Sequence, residues 1–164
     1  MNFIAILVAA LVPTLVGFVW YSNKVFGKQW QAAAGLTEQD LKKGSFIKIL
    51  VFSFILSFLL AFMLPYTVIH QLHMQSILMN EPGYGVDNSP IDVYLKDFMA
   101  NYGNNFRTFK HGAFHGFFAG IFIALPIFGL NAIFERKSFK YIAIHAGYWC
   151  ITLMIMGGII CAWK

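Results

Sequence analysis

A chain of 164 residues in which 59% are apolar, 18 are phenylalanine and only 12% are charged is no ordinary soluble domain; in such domains about 25% of residues are charged. One core of this size cannot hide that much apolar surface, whereas a bilayer accepts it. The formal charge of +5 follows from where the lysines sit and gives no support to a nucleic-acid partner.

The chain opens on a first predicted span over residues 3–22, apolar from Phe3 to Trp20 except for Thr14. A run of about 20 apolar residues matches a hydrocarbon core of roughly 30 Å. Its Met1-Asn2-Phe3 start carries no basic segment of the kind a cleavable signal needs. Ala5, Ala9, Pro13 and Gly17 recur every fourth position and form a stripe where another helix can come close. Pro13 removes a backbone hydrogen bond and predicts a kink. Trp20 and Tyr21 mark the water interface.

Residues 23–46 are polar and basic. Val25, Phe26 and Trp30 fall near one helical face, which predicts a short interfacial helix ended by Gly35. Thr37, followed by Glu38 and Asp40, is a good N-cap and starts a second short helix. The second span is predicted over 46–69, with Ser53 and Ser57 at mid-depth and a kink at Pro65. The connection over 71–110 is long and contains a turn at Glu81-Pro82-Gly83. Ser89-Pro90-Ile91-Asp92 then predicts a helix start, and Ile91, Leu95, Phe98 and Tyr102 line one face of an external amphipathic helix at 90–102.

The third span, 111–134, carries Gly112, Gly116 and Gly120 on one face, a helix-packing pattern, and a bend at Pro126. A basic turn at 135–140 folds it against the fourth span, 141–163. Cys150 and Cys161 lie in that last span, separated by about 16 Å of helical rise. That is too far for a disulfide, and they read as small buried apolar residues. The predicted fold is all-α: a four-helix transmembrane bundle forming one integral membrane domain over 1–164. Lys24, Lys28, Lys42, Lys43, Lys48, Arg136, Lys137 and Lys140 fall on the two short connections and their edges. The positive-inside rule therefore places 23–46 and 135–140 in the cytoplasm, and both termini and the 71–110 segment outside.

Two constellations of polar side chains stand out. His70 and His73 are i,i+3 at the end of span two; His111 and His115 are i,i+4 at the start of span three. Each spacing puts two imidazoles on one helical face, at similar depth. If the pairs converge, they can hold zinc, copper or a haem iron; otherwise they are solvated interfacial histidines. Asn131 and His145 lie at matching depth on spans three and four and predict a structural polar pair between them. No carboxylate falls at mid-membrane, which argues against a proton pump or an ion-coupled carrier. No phosphate-binding loop, zinc-type cysteine pair or nucleophile elbow is present. No catalytic residue is therefore assigned, and no cofactor identified.

The segment Trp20-Tyr21-Ser22, then Phe26-Gly27 and Trp30, then Leu36-Thr37-Glu38, resembles the DUF1761 family of small bacterial membrane proteins of unknown function. Phe134-Glu135-Arg136-Lys137, Ile144 to Gly147, Met156-Gly157-Gly158 and Ala162-Trp163 extend the resemblance over nearly the whole chain. It implies the four-span fold and a bacterial cytoplasmic (inner) membrane, and assigns no activity. Three readings stay open. The first is a non-enzymatic subunit that forms a homo-oligomer or binds a larger membrane partner through its two small-residue stripes. The second is a binding module for a metal, haem or hydrophobic small molecule at the histidines. The third is a small-molecule carrier or membrane enzyme.

Overall fold

The computed structural model describes Asn2 to Lys164, and the described residues are helical throughout their ordered elements. Four segments are long and apolar enough to cross a membrane, and the protein is an integral membrane protein. The first is α1, Phe3–Trp20, N-capped by Asn2, whose side chain accepts from the amides of Ile4 and Ala5. Pro13 sits inside it without ending it. The carbonyl of Pro13 instead accepts the Tyr148 hydroxyl at 2.8 Å from span four.

Between the first two spans lie α2, Gly27–Ala34, and α3, Glu38–Leu41. Gly35 ends α2 at φ 75°, the left-handed cap its lack of a Cβ allows. Thr37 and Asp40 form a reciprocal capping box at the start of α3. Lys43 and Thr37 hydrogen-bond the Asp40 carboxylate and pull its pKa down to about 2.

Span two runs Phe46–Val68 with its backbone helical through Leu64; α4, Phe46–Met63, passes into α5, Pro65–Val68, at the amide hydrogen bond that Pro65 lacks. Proline cannot supply the next helical N–H but suits the first position of a new helix. A further helix, α6, Gln71–Leu78, follows; no capping or periodic signal in the sequence predicts it. The amphipathic helix α7, Pro90–Tyr102, has the expected bounds, with Ser89 accepting from the Asp92 amide.

Span three runs Phe109–Phe134 and changes winding midway. Helix α8, Phe109–Ala119, passes into a π turn at Gly120–Ala124 and then into α9, Leu125–Phe134. Pro126, near the start of α9, has no N–H for the preceding turn, and a wider turn accommodates that loss. Span four is one helix, α10, Phe139–Ala162, two residues earlier at its start than predicted.

Helix α10 is the centre of the fold. Half of its most apolar 18-residue window is buried inside the protein, against 17% for span two. It is flanked by α1 and by α8–α9; α4 packs on α1, and α5 reaches both α8 and α10. These contacts meet in a core of Ile6, Ala9, Ala61, Val68, Met156 and Cys161 near the end that bears both chain termini. Phe54, Phe58 and Leu60 of α4 pack against this core, while Ile47, Phe52 and Leu56 face outward, as a lipid-facing helix requires.

The third-span glycines explain the tightest contact. A Cβ at Gly112 would run into the carbonyl oxygen of Gly157, one at Gly116 into that of Leu153, and one at Gly120 into the backbone of Cys150. The Gly112-Gly116-Gly120 face is therefore spent on α10 within the chain. Ala5, Ala9 and Pro13 are buried in the core, and Gly17 lies against Tyr148. Both small-residue stripes serve the intramolecular bundle.

Candidate metal centre

At the terminal end of the bundle, α5 meets the start of α8. Thr108 caps α8 by accepting from the His111 amide at 3.2 Å, which sets the first turn. His111 and His115 then lie one turn apart on one face. His70 occupies the bend between α5 and α6, where the chain turns back after Ile69. The three rings converge. Their ligating nitrogens all lie within 4.8 Å of one another. His70 Nε2 and His111 Nε2 are 3.0 Å apart, and the ring centroids of His111 and His115 are 4.5 Å apart.

His73 does not join them. It lies on α6, and its Nε2 is 2.9 Å from the carbonyl of Tyr66 on α5, seven residues back. Three of the four histidines at this end thus form one group. Among the described residues, no cysteine, aspartate or glutamate completes a fourth ligand position with them. The nearby thiol of Cys161 is fully buried and lies 3.2 Å from the Val68 carbonyl and 3.3 Å from that of Phe106.

Neighbouring side chains hold the cluster in place. Gln71, buried beside His70, donates from Nε2 to the carbonyls of Tyr102 at 3.0 Å and Asn105 at 2.8 Å. That clamp ties the end of α7 to the start of α6. Phe106 adopts φ 60°, a conformation rare for a bulky side chain, and its ring lies 5.0 Å from that of His111 and 6.5 Å from that of His70. Arg107 donates to the carbonyls of Cys161 at 2.8 Å and Trp163 at 2.7 Å, so a cation caps the C-terminus of α10. The loop over the histidines is pinned on both sides.

The second constellation differs from its prediction. Asn131 is exposed and makes no hydrogen bond with His145. The partner of His145 is Tyr21, whose hydroxyl lies 2.9 Å from Nδ1. The other ring nitrogen, Nε2, is buried without a partner. Asn131 is exposed while Gly129 and Ala132 of the same helix are buried, so matching depth did not bring matching faces.

The aromatic segment after α1 is part of this arrangement. Trp20 Nε1 donates to the Ile144 carbonyl at 3.0 Å, and its ring fills the space that Gly147 leaves open. Trp30 packs edge-on against Tyr21 at 5.2 Å, and Lys137 donates to the Ala34 carbonyl at 3.0 Å, tying α2 to the turn between spans three and four. Gln71, Phe106 and Tyr21 carry no local signal of these roles; only the depth of Tyr21, equal to that of His145, could have pointed to their contact.

The fold and the site define a small polytopic membrane protein with a histidine cluster at one end. The chain matches the family model described as "Protein of unknown function (DUF1761)" over residues 4–161, and it belongs to that family. No curated protein and no solved structure matches it.

Proposed function

We propose that this protein binds a transition-metal ion at His70, His111 and His115, on the outer side of the membrane. The observation that carries the reading is the convergence of three imidazoles from two separate segments, with all ligating nitrogens inside 4.8 Å. Neutral imidazole suits zinc, copper, iron and nickel, and three histidines around one ion form a recurring zinc site. The alternative of haem is disfavoured. The rings of His111 and His115 are 4.5 Å apart and inclined at 61°, which leaves no slot for a planar macrocycle between them.

The oligomer or partner-binding reading rested on the two glycine and alanine stripes, and both are occupied within the chain. The bilayer itself is the partner that the outward apolar side chains call for. The outer placement of the site rests on the lysine-rich connections at the opposite end, and the resemblance to a family of small bacterial membrane proteins supports a bacterial inner membrane.

Zinc competition against a chromophoric chelator, on detergent-solubilised protein, tests the reading. Wild-type protein is expected to take up about one ion per chain, as a single three-histidine site requires. His70→Ala, His111→Ala and His115→Ala each weaken binding by at least about tenfold, the lower end of what loss of even a supporting group costs, while His73→Ala leaves it unchanged. Equal effects of all four substitutions, or no uptake, contradict the proposal.

A further inference from the structure

Beside the three histidines lies a pocket of about 340 Å³, lined by His70, Gln71, Phe98, Tyr102, Asn105 and Phe106. It sits between the start of α6 and the last turns of α7, and His70 belongs to both pocket and cluster. The Phe106 ring borders the cluster on the same side, against His70 and His111. An ion held by three histidines alone has an open coordination position, the arrangement of sites that bind or transform an exogenous ligand rather than of closed structural sites. No carboxylate stands in the group to offset the ion's two positive charges, so an anionic donor is favoured there. The pocket walls are the opposite in character. Phe98, Tyr102 and Phe106 offer rings, while the Gln71 amide and the Tyr102 and Asn105 carbonyls are already committed to one another.

From this juxtaposition we infer that the metal's open position takes the carboxylate of a small organic acid whose apolar body lies in the pocket under α7. The inference rests on the metal reading above and adds the ligand class. The metal supplies the charge that recognises the carboxylate; Phe98 and Tyr102 supply the selectivity for its apolar part. Gln71 acts through position, holding α7 at the distance that gives the pocket its width.

Cobalt-loaded full-length protein in detergent makes the test visible, because ligand exchange at tetrahedral cobalt changes its absorption bands. Acetate and benzoate are the probes. Both are expected to perturb the spectrum, with benzoate binding at least about tenfold more tightly, the effect of burying a ring of this size. Phe98→Trp, which fills the pocket, and Tyr102→Ala, which removes an exposed wall without touching its backbone carbonyl, should each weaken benzoate by about tenfold and leave acetate unchanged. Cobalt uptake with no response to either acid overturns the inference and leaves the metal site standing. Equal affinity for the two acids, unaltered by both substitutions, overturns the role of the pocket. Failure to bind cobalt at all overturns the metal reading together with the inference.

Discussion

Single atoms decide the closest packing in this protein. At Gly116 the missing Cβ is what lets α8 approach the Leu153 carbonyl, whereas at Gly129 the nearest side-chain atom to an added Cβ is 3.8 Å away. Gly116→Ala is therefore expected to destabilise by about 1–3 kcal/mol or more through overpacking. Gly129→Ala should be neutral or stabilising by up to about 1 kcal/mol through helix propensity. Thermal unfolding in detergent separates the two. At the other end, Asp40 illustrates a local charge effect. Its pKa falls from 3.8 to about 2 because the folded state hydrogen-bonds the carboxylate. A depressed pKa stabilises above the unfolded value, so the α3 capping box is expected intact above pH 3.8 and lost as pH falls through about 2. The Thr37 and Asp40 amide shifts, followed by NMR, should titrate in that window and not above it. The glycine pattern was legible from sequence because its spacing of four is a helical period. Its partner was not, since the same stripe can serve a neighbouring chain or a neighbouring helix.

Elements form where caps and prolines say they should, and the exceptions have local causes. Helix α7 begins at Pro90 because Ser89 caps it and Asp92 lies in its first turn, where the Lys96 ion pair and the Asn88 amide draw its carboxyl below the ordinary range. The α4–α5 junction at Leu64 and the π turn before Pro126 show proline acting on the turn that precedes it. Helix α6 was invisible in sequence because its order comes from Gln71, a tertiary contact rather than a propensity. Gln71→Ala is accordingly expected to loosen α7. Hydrogen exchange should quicken across 90–102 and stay unchanged in α10, and equal protection in wild type and variant would count against the clamp. The Asn131–His145 pairing failed at this scale too. Depth along two antiparallel helices is readable from residue number, but the rotation that buries Gly129 and Ala132 and leaves Asn131 exposed is set by packing.

Across the whole molecule, four apolar spans and their order were legible because bilayer thickness fixes span length. That α10 would be the central helix was marked only indirectly, by its mean hydropathy of 1.6 against 2.2–2.6 for the other three spans; its partners are set by where glycine lets the helices approach. The predicted orientation is open to a labelling experiment, since Cys150 and Cys161 are buried and silent. A cysteine introduced by Glu81→Cys should react from outside intact cells with a membrane-impermeant maleimide, and one introduced by Lys43→Cys should not; the reverse pattern inverts the topology. The histidine cluster joins the scales. His111 and His115 are brought together by helical spacing, and His70 reaches them because α5, at the end of span two, packs on α8. X-ray absorption of the zinc-loaded protein tests this most directly. The account predicts three imidazole nitrogens at about 2.0–2.1 Å and one further light donor, with the imidazole count falling in His115→Ala. A zinc shell without imidazole scattering, or one unchanged in His115→Ala, would contradict it.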